Sequence, residues 1–244
     1  MSTMPDRNGG MATTHDHIVK QFDVELQDLK DKILRMAAEV EGQIRDAIRC
    51  LTERDAVSAR RIASSDTEVN LLEMEIDENC IRLLALRQPA ATDLRFVAAA
   101  LKINTDLERM GDLAVNIAER ALALAESPQM LPAFDLSRIA IEAQEMLKDA
   151  LDAFVYRDVD KAERVLERDN VVDELFVASF RTLADSMKQS PDQVERALGL
   201  LFIAKHLERI ADHATNISEM VVYLVRGTDV RHRFSVEERA LRSE

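Results

Sequence analysis

The segment LERMGDLAVNI at 107–117 returns as LERIADHATNI at 207–217. A chain that carries one segment twice is constrained to build one structural unit twice. The spacing of apolar side chains says what that unit is made of. Ile18, Phe22, Leu26, Leu29, Ile33, Met36, Val40, Ile44, Ala47 and Leu51 recur at three and four residues, the buried stripe of a long helix. Six Gly and five Pro in 244 residues leave few places where such stripes can be interrupted. The expected fold is all-α.

Punctuation residues set the boundaries. Pro5, Asn8, Gly9 and Gly10 make residues 1–16 read as a disordered tail, with helix beginning near His17. Asp55 is the expected N-cap of a second helix running to about Arg87, and Pro89 suits the first turn of a third that ends near Ala125. Pro128 and Pro132 mark a linker at 127–134 between repeat 1 (17–126) and repeat 2 (135–226). In repeat 2, Ala150, Arg157, Asp158, Asp169 and Asp173 follow Ala47, Arg54, Asp55, Asp66 and Asn70 by 103 residues, whereas the later motif follows by 100. A three-residue deletion therefore lies near the second turn, where Ser190-Pro191-Asp192-Gln193 has the form of a capping box. Gly227 suits a C-terminal cap, and 227–244 form a charged tail. Six long helices in two tandem antiparallel three-helix bundles follow, each helix about 50 Å long.

Composition removes several classes of partner. A formal net charge of −13, with 4% aromatic residues and no Trp, disfavours nucleic acid and anionic lipid. The apolar run from Ala197 to Ala204 is far too short to insert in a membrane, and residues 1–14 lack the apolar core of a signal peptide. A cytoplasmic protein with two reduced core thiols, Cys50 and Cys80, is expected.

The repeated motif carries acids at helical spacing. Glu108, Asp112 and Asn116 stand four residues apart, as do Glu208, Asp212 and Asn216, so each trio stacks along one helix face. Adjacent carboxylates repel at that spacing, and a cation would relieve them. The preceding helix of each repeat adds Asp66 with Asn70, and Asp169 with Asp173. Taking 100° per residue, the stacked acids fall opposite the apolar stripe, so a solvated acidic face and a metal site both fit the pattern. A set of hard oxygen donors suits magnesium, manganese, calcium or iron, and is poorly suited to structural zinc. His206 and His213 lie at the edge of the apolar stripe, away from the acids, and read as packed histidines.

No phosphate-binding Gly loop, nucleophile elbow or Cys/His dyad is present, so the chain reads as a non-enzyme with no catalytic residue. A metal-dependent hydrolase using the acidic clusters and a structural helical scaffold are the alternatives. Residues 88–95 (QPAATDLR), the two LER motifs, Phe22-Asp23-Val24-Glu25-Leu26 and Asp66-Thr67-Glu68-Val69-Asn70 together resemble the PhoU family, over about Phe22 to Arg226. The resemblance implies a cytoplasmic, usually dimeric adaptor between the ATPase of the phosphate ABC transporter and a phosphate-sensing histidine kinase, keeping the phosphate-starvation response off when phosphate is plentiful. It also implies metal ions, iron among them, on Glu108 with Asp112, Glu208 with Asp212, and Asp169 with Asp173. Asn70 departs from the family pattern, standing where a second acid would complete the Asp66 pair, and it brings no charge.

Overall fold

The computed structural model describes residues 10–63, 67–125 and 136–230, and side chains from residue 20 onward. Seven α-helices and one short 3-10 turn make up the described residues, with no strand among them. Repeat 1 consists of α1 (Gly10–Glu53), α2 (Ala56–Ala63), α3 (Thr67–Arg87) and α4 (Ala91–Ala125). Helices α2 and α3 together span the second helix expected from the sequence, with residues 64–66 between them outside the described residues. Repeat 2 consists of α5 (Leu136–Tyr156), α6 (Val159–Gln189), the 3-10 turn Pro191–Gln193 and α7 (Val194–Arg226). Asp66 and the expected 127–134 linker lie outside the described residues.

Three sequence expectations are corrected. Helix α1 begins at Gly10, about two turns ahead of His17, because Pro5 is the last proline before it and Met11 and Ala12 favour helix. Pro89 precedes α4 and lies outside it, since Gln88 and Ala91 both take left-handed backbone (φ 47° each) and the helix starts only at Ala91. Ser190 precedes Pro191 but makes no side-chain cap bond: the turn closes instead through Gln193 N–H donating to the Ser190 carbonyl at 3.0 Å, a 3-10 bond. The capping box is therefore absent.

The first turn of each repeat is built the same way. Arg54 and Arg157 occupy left-handed backbone at φ 55° and 53°. The following aspartates, Asp55 and Asp158, donate their N–H groups back to the carbonyls of Cys50 and Ala153, closing a Schellman turn. Their carboxylates then cap the next helix, Asp55 accepting from Val57 and Ser58, and Asp158 from Lys161. A side chain in left-handed backbone costs about 1 kcal/mol, which Gly avoids. Arg157→Gly is therefore expected to raise stability by about 0.5–1 kcal/mol in urea titration. Arg54→Gly should fall short of that, because the Arg54 guanidinium donates to the Ala125 carbonyl at 2.7 Å and holds the C-terminal end of α4.

The two bundles share one hydrophobic core. Helices α4 and α7 lie side by side and antiparallel at its centre: Arg95 donates to the Leu224 carbonyl at one end, and Arg196 to the Leu124 carbonyl at the other. Ile103, Leu107 and Met110 of α4 and Ile203, Ile210 and Ile217 of α7 are completely or almost completely buried in the same cluster as Ile33 of α1 and Met146 of α5. Phe96 of α4 and Phe154 of α5 stack across the join, centroids 6.0 Å apart and planes within 10°. Cys50 and Cys80 are free and buried, and burial pushes the Cys80 thiol up to about 12. No described helix is long and apolar enough to cross a membrane.

Candidate functional site

The repeated acids sit on α4 and α7 where these helices meet α3 and α6, and they are less exposed than helix geometry alone implies. Glu208 is only 8% exposed, and the Glu108 side chain 19%. The outward-facing expectation is corrected for both. Angular position fixes a side chain relative to its own helix axis, but α7 packs against α4, α5 and α6 together, so its buried arc is wide enough to take in Glu208. Asp112 and Asp212 are half-buried, whereas Asn116 and Asn216 are exposed.

In the first stack, burial and then the neighbouring Asp112 carboxylate push the Glu108 carboxyl above its ordinary range, and Arg109 partly opposes the shift. Arg109 is mostly exposed and stands 3.5 Å from Glu108 and 3.9 Å from Asp112, a loose surface contact. Glu73 of α3 also raises the Glu108 carboxyl through its charge. Asn70 is half-buried on the same helix, so the described acid that α3 brings to this stack is Glu73, a residue that spacing did not single out. Beside it, Asn104 is fully buried and donates to the Glu73 carbonyl and the Asp77 carboxylate, fixing α3 against α4.

The second stack is arranged differently. Lys205 places its ammonium 2.6 Å from both carboxylate oxygens of Glu208, with the well-directed hydrogen bond going to Oε1. The same ammonium lies 5.1 Å from the ring centroid of Phe176 on α6. Burial raises the Asp212 carboxyl to about 6, the Glu208 and Asp173 charges add to the shift, and Lys205 opposes it. Helix packing thus brings Asp173 of α6 beside Asp212 of α7. Asp169, one turn earlier on α6, is half-buried and has its own polar partner. Lys205 was legible as a cation three residues before Glu208, but its contact with Phe176 depends on the packing of α6.

The amide nitrogen of Asn216 is engaged outside its own stack. It donates across the bundle join to Asp106 of α4 at 3.1 Å, and Asp106 also meets His213 Nδ1 at 2.8 Å. An amide N–H prefers an acceptor, and Asp106 supplies one. His213 is accordingly a packed, partnered histidine at the α4/α7 join, and no local sequence signal links it to a residue more than 100 positions away. His206 is half-buried, its basicity lowered by burial and by Arg209 and Arg120.

Among the described residues, no three His, Cys, Asp or Glu side chains stand together as a ready set of metal ligands. The donor chemistry nonetheless differs between the stacks. In the first, the charges of Asp112 and Glu73 act on Glu108 and one exposed Arg109 opposes them. The second already has an ammonium astride its most buried carboxylate.

Known proteins share this architecture. The PhoU domain model matches the chain twice, over residues 33–121 and 136–221. A phosphate-specific transport system accessory protein PhoU homolog of Pseudomonas putida is 42% identical over 220 residues, covering 90% of this chain and 86% of that protein. The accessory protein PhoU of Escherichia coli K12 is 37% identical over 216 residues, covering 88% and 90% respectively. The crystal structure of PhoU from Pseudomonas aeruginosa aligns with a TM-score of 0.82 at 40% identity, over 85% of this chain and 100% of that one. That of the phosphate transport system regulatory protein PhoU from Streptococcus pneumoniae aligns at 0.78 and 32% identity, over 86% and 99%. Matched in both repeats and sharing the fold along most of its length, this protein belongs to the PhoU family.

Proposed function

We propose that this chain regulates phosphate uptake as a non-catalytic adaptor. It binds the ATPase of a phosphate ABC transporter and a phosphate-sensing histidine kinase in the cytoplasm, and holds the phosphate-starvation response off while phosphate is abundant. The observation that carries this reading is the match of both repeats, over about nine-tenths of the chain, to proteins named as accessory to phosphate-specific transport. Surface chemistry supports it. Helix α3 buries Val69, Leu72, Ile76 and Leu83 on one side, and on the other exposes Leu71, Met74 and Ile81. A helix apolar on both sides offers its outer side to another surface. A homodimer is part of the proposal, since a closed two-fold pairing is the simplest assembly that covers such a face.

The reading includes a divalent or iron cation at the first stack, where magnesium, manganese, calcium or iron would neutralise the charge that Glu73, Glu108 and Asp112 accumulate. Deleting the gene tests the adaptor role. A phosphate-starvation promoter should then be active in phosphate-rich medium, and the purified chain should capture the transporter ATPase or the kinase's cytoplasmic region directly. An adaptor acts only through unequal affinity for its partners' states, so silent promoters together with no direct capture would reject this reading.

A further inference from the structure

The two acidic stacks occupy equivalent places in the repeats, and among the substitutions that separate them three bear on the charge at the acids. Thr105 in repeat 1 corresponds to Lys205, Glu73 to Phe176 and Asn70 to Asp173. The Thr105 hydroxyl donates to its own helix, to the Leu101 carbonyl at 3.2 Å, and brings no charge to Glu108. Where repeat 1 has a hydroxyl and a carboxylate, repeat 2 has an ammonium and an aromatic ring to hold it. The first two exchanges act in one sense: one replaces a neutral group by a cation, and the other replaces a competing anion by a surface that attracts the cation, whereas the third adds the Asp173 carboxylate beside which that cation is needed.

We propose that Lys205 is the resident cation of the second stack, and that it closes the Glu208–Asp212 pair to metal ions. Two contacts distinguish it from an ordinary surface lysine. It sits 2.6 Å from each oxygen of a carboxylate that is only 8% exposed, and it lies over the Phe176 ring. A divalent ion entering there would meet the ammonium at the Glu208 carboxylate itself, where like charges repel at close range. The cation chemistry of the protein is therefore one-sided, with an exchangeable ion in repeat 1 and a covalently tethered one in repeat 2. This inference rests on the proposal that the first stack attracts a cation.

Mn2+ binding to the full chain, measured by equilibrium dialysis and by the electron paramagnetic resonance of free Mn2+, tests it. Wild type and D212N should bind the same amount of Mn2+. K205T, which copies Thr105, should bind one more Mn2+ per chain, with affinity at the second stack raised roughly tenfold or more. The gain should disappear in K205T/D212N. K205M keeps the stem over Phe176 while removing the charge, so it carries the test if K205T folds poorly. It should melt at lower temperature than wild type and recover on addition of Mn2+, because a buried carboxylate has lost its counter-ion. Loss of Mn2+ from wild type on D212N substitution, or no gain in either folded Lys205 variant, would overturn the proposal. Wild type that binds Mn2+ at the first stack, as shown by loss in D112N, beside Lys205 variants that gain nothing, would refute only the role of Lys205. No binding to any variant would reject the cation reading itself.

Discussion

Phe154→Ala is expected to cost about 3–5 kcal/mol in equilibrium urea unfolding. Phe154 is 2% exposed, and its ring stacks on Phe96 of α4, so removing it opens a cavity where the two repeats join. The form of the transition is as informative as its midpoint. Because one continuous core runs through both bundles, unfolding should remain a single cooperative step when followed by helical circular dichroism and by a probe in either repeat. Two separated transitions in the wild-type protein would show that the bundles are thermodynamically independent.

The second large effect is one of pH, and it arises at Asp212. Its carboxyl titrates at about 6 in the folded protein against an ordinary 3.8, with burial the main cause and Glu208 the next. Between these values the native state holds a proton that the unfolded chain has released, so native binding exceeds unfolded binding and stability falls as pH rises. The favourable increment is complete below about 4 and gone above about 6. The full shift corresponds to roughly 3 kcal/mol, and partial exposure to solvent reduces it to about 1–2 kcal/mol. In chelator-containing buffer, Asp212→Asn should therefore be more stable than wild type at pH 7.5 by about that amount, and the difference should shrink towards pH 4. A variant less stable than wild type at pH 7.5 would contradict this account.

How far the sequence could be read follows from the range of the forces involved. The cap at Asp158 and the Schellman turn before each aspartate emerged from the structure, whereas the cap at Asp55 binds groups within three residues of it and was legible in the sequence. Gly227 likewise adopts φ 70° and donates to the Tyr223 carbonyl, closing α7 as a C-terminal glycine does. Where a local contest is close, sequence was less decisive. Ser190 and Gln193 have the side chains of a capping box, and a 3-10 backbone bond satisfied the turn first.

By itself the sequence determined the helices, their duplication and the four-residue spacing of the acids, because periodicity and capping depend only on near neighbours along the chain. Tertiary structure alone decided which acids are buried and what faces them. Glu208 became a buried carboxylate because α7 packs against α4, α5 and α6 together, Lys205 gained a ring from Phe176, and Asp106 found His213 and Asn216 across the α4/α7 join. Each of these outcomes depends on the sides of two helices that meet only after the chain has folded. The burial and charge of a site are set by its neighbours in space, and spacing along the chain fixes only one side of that contact.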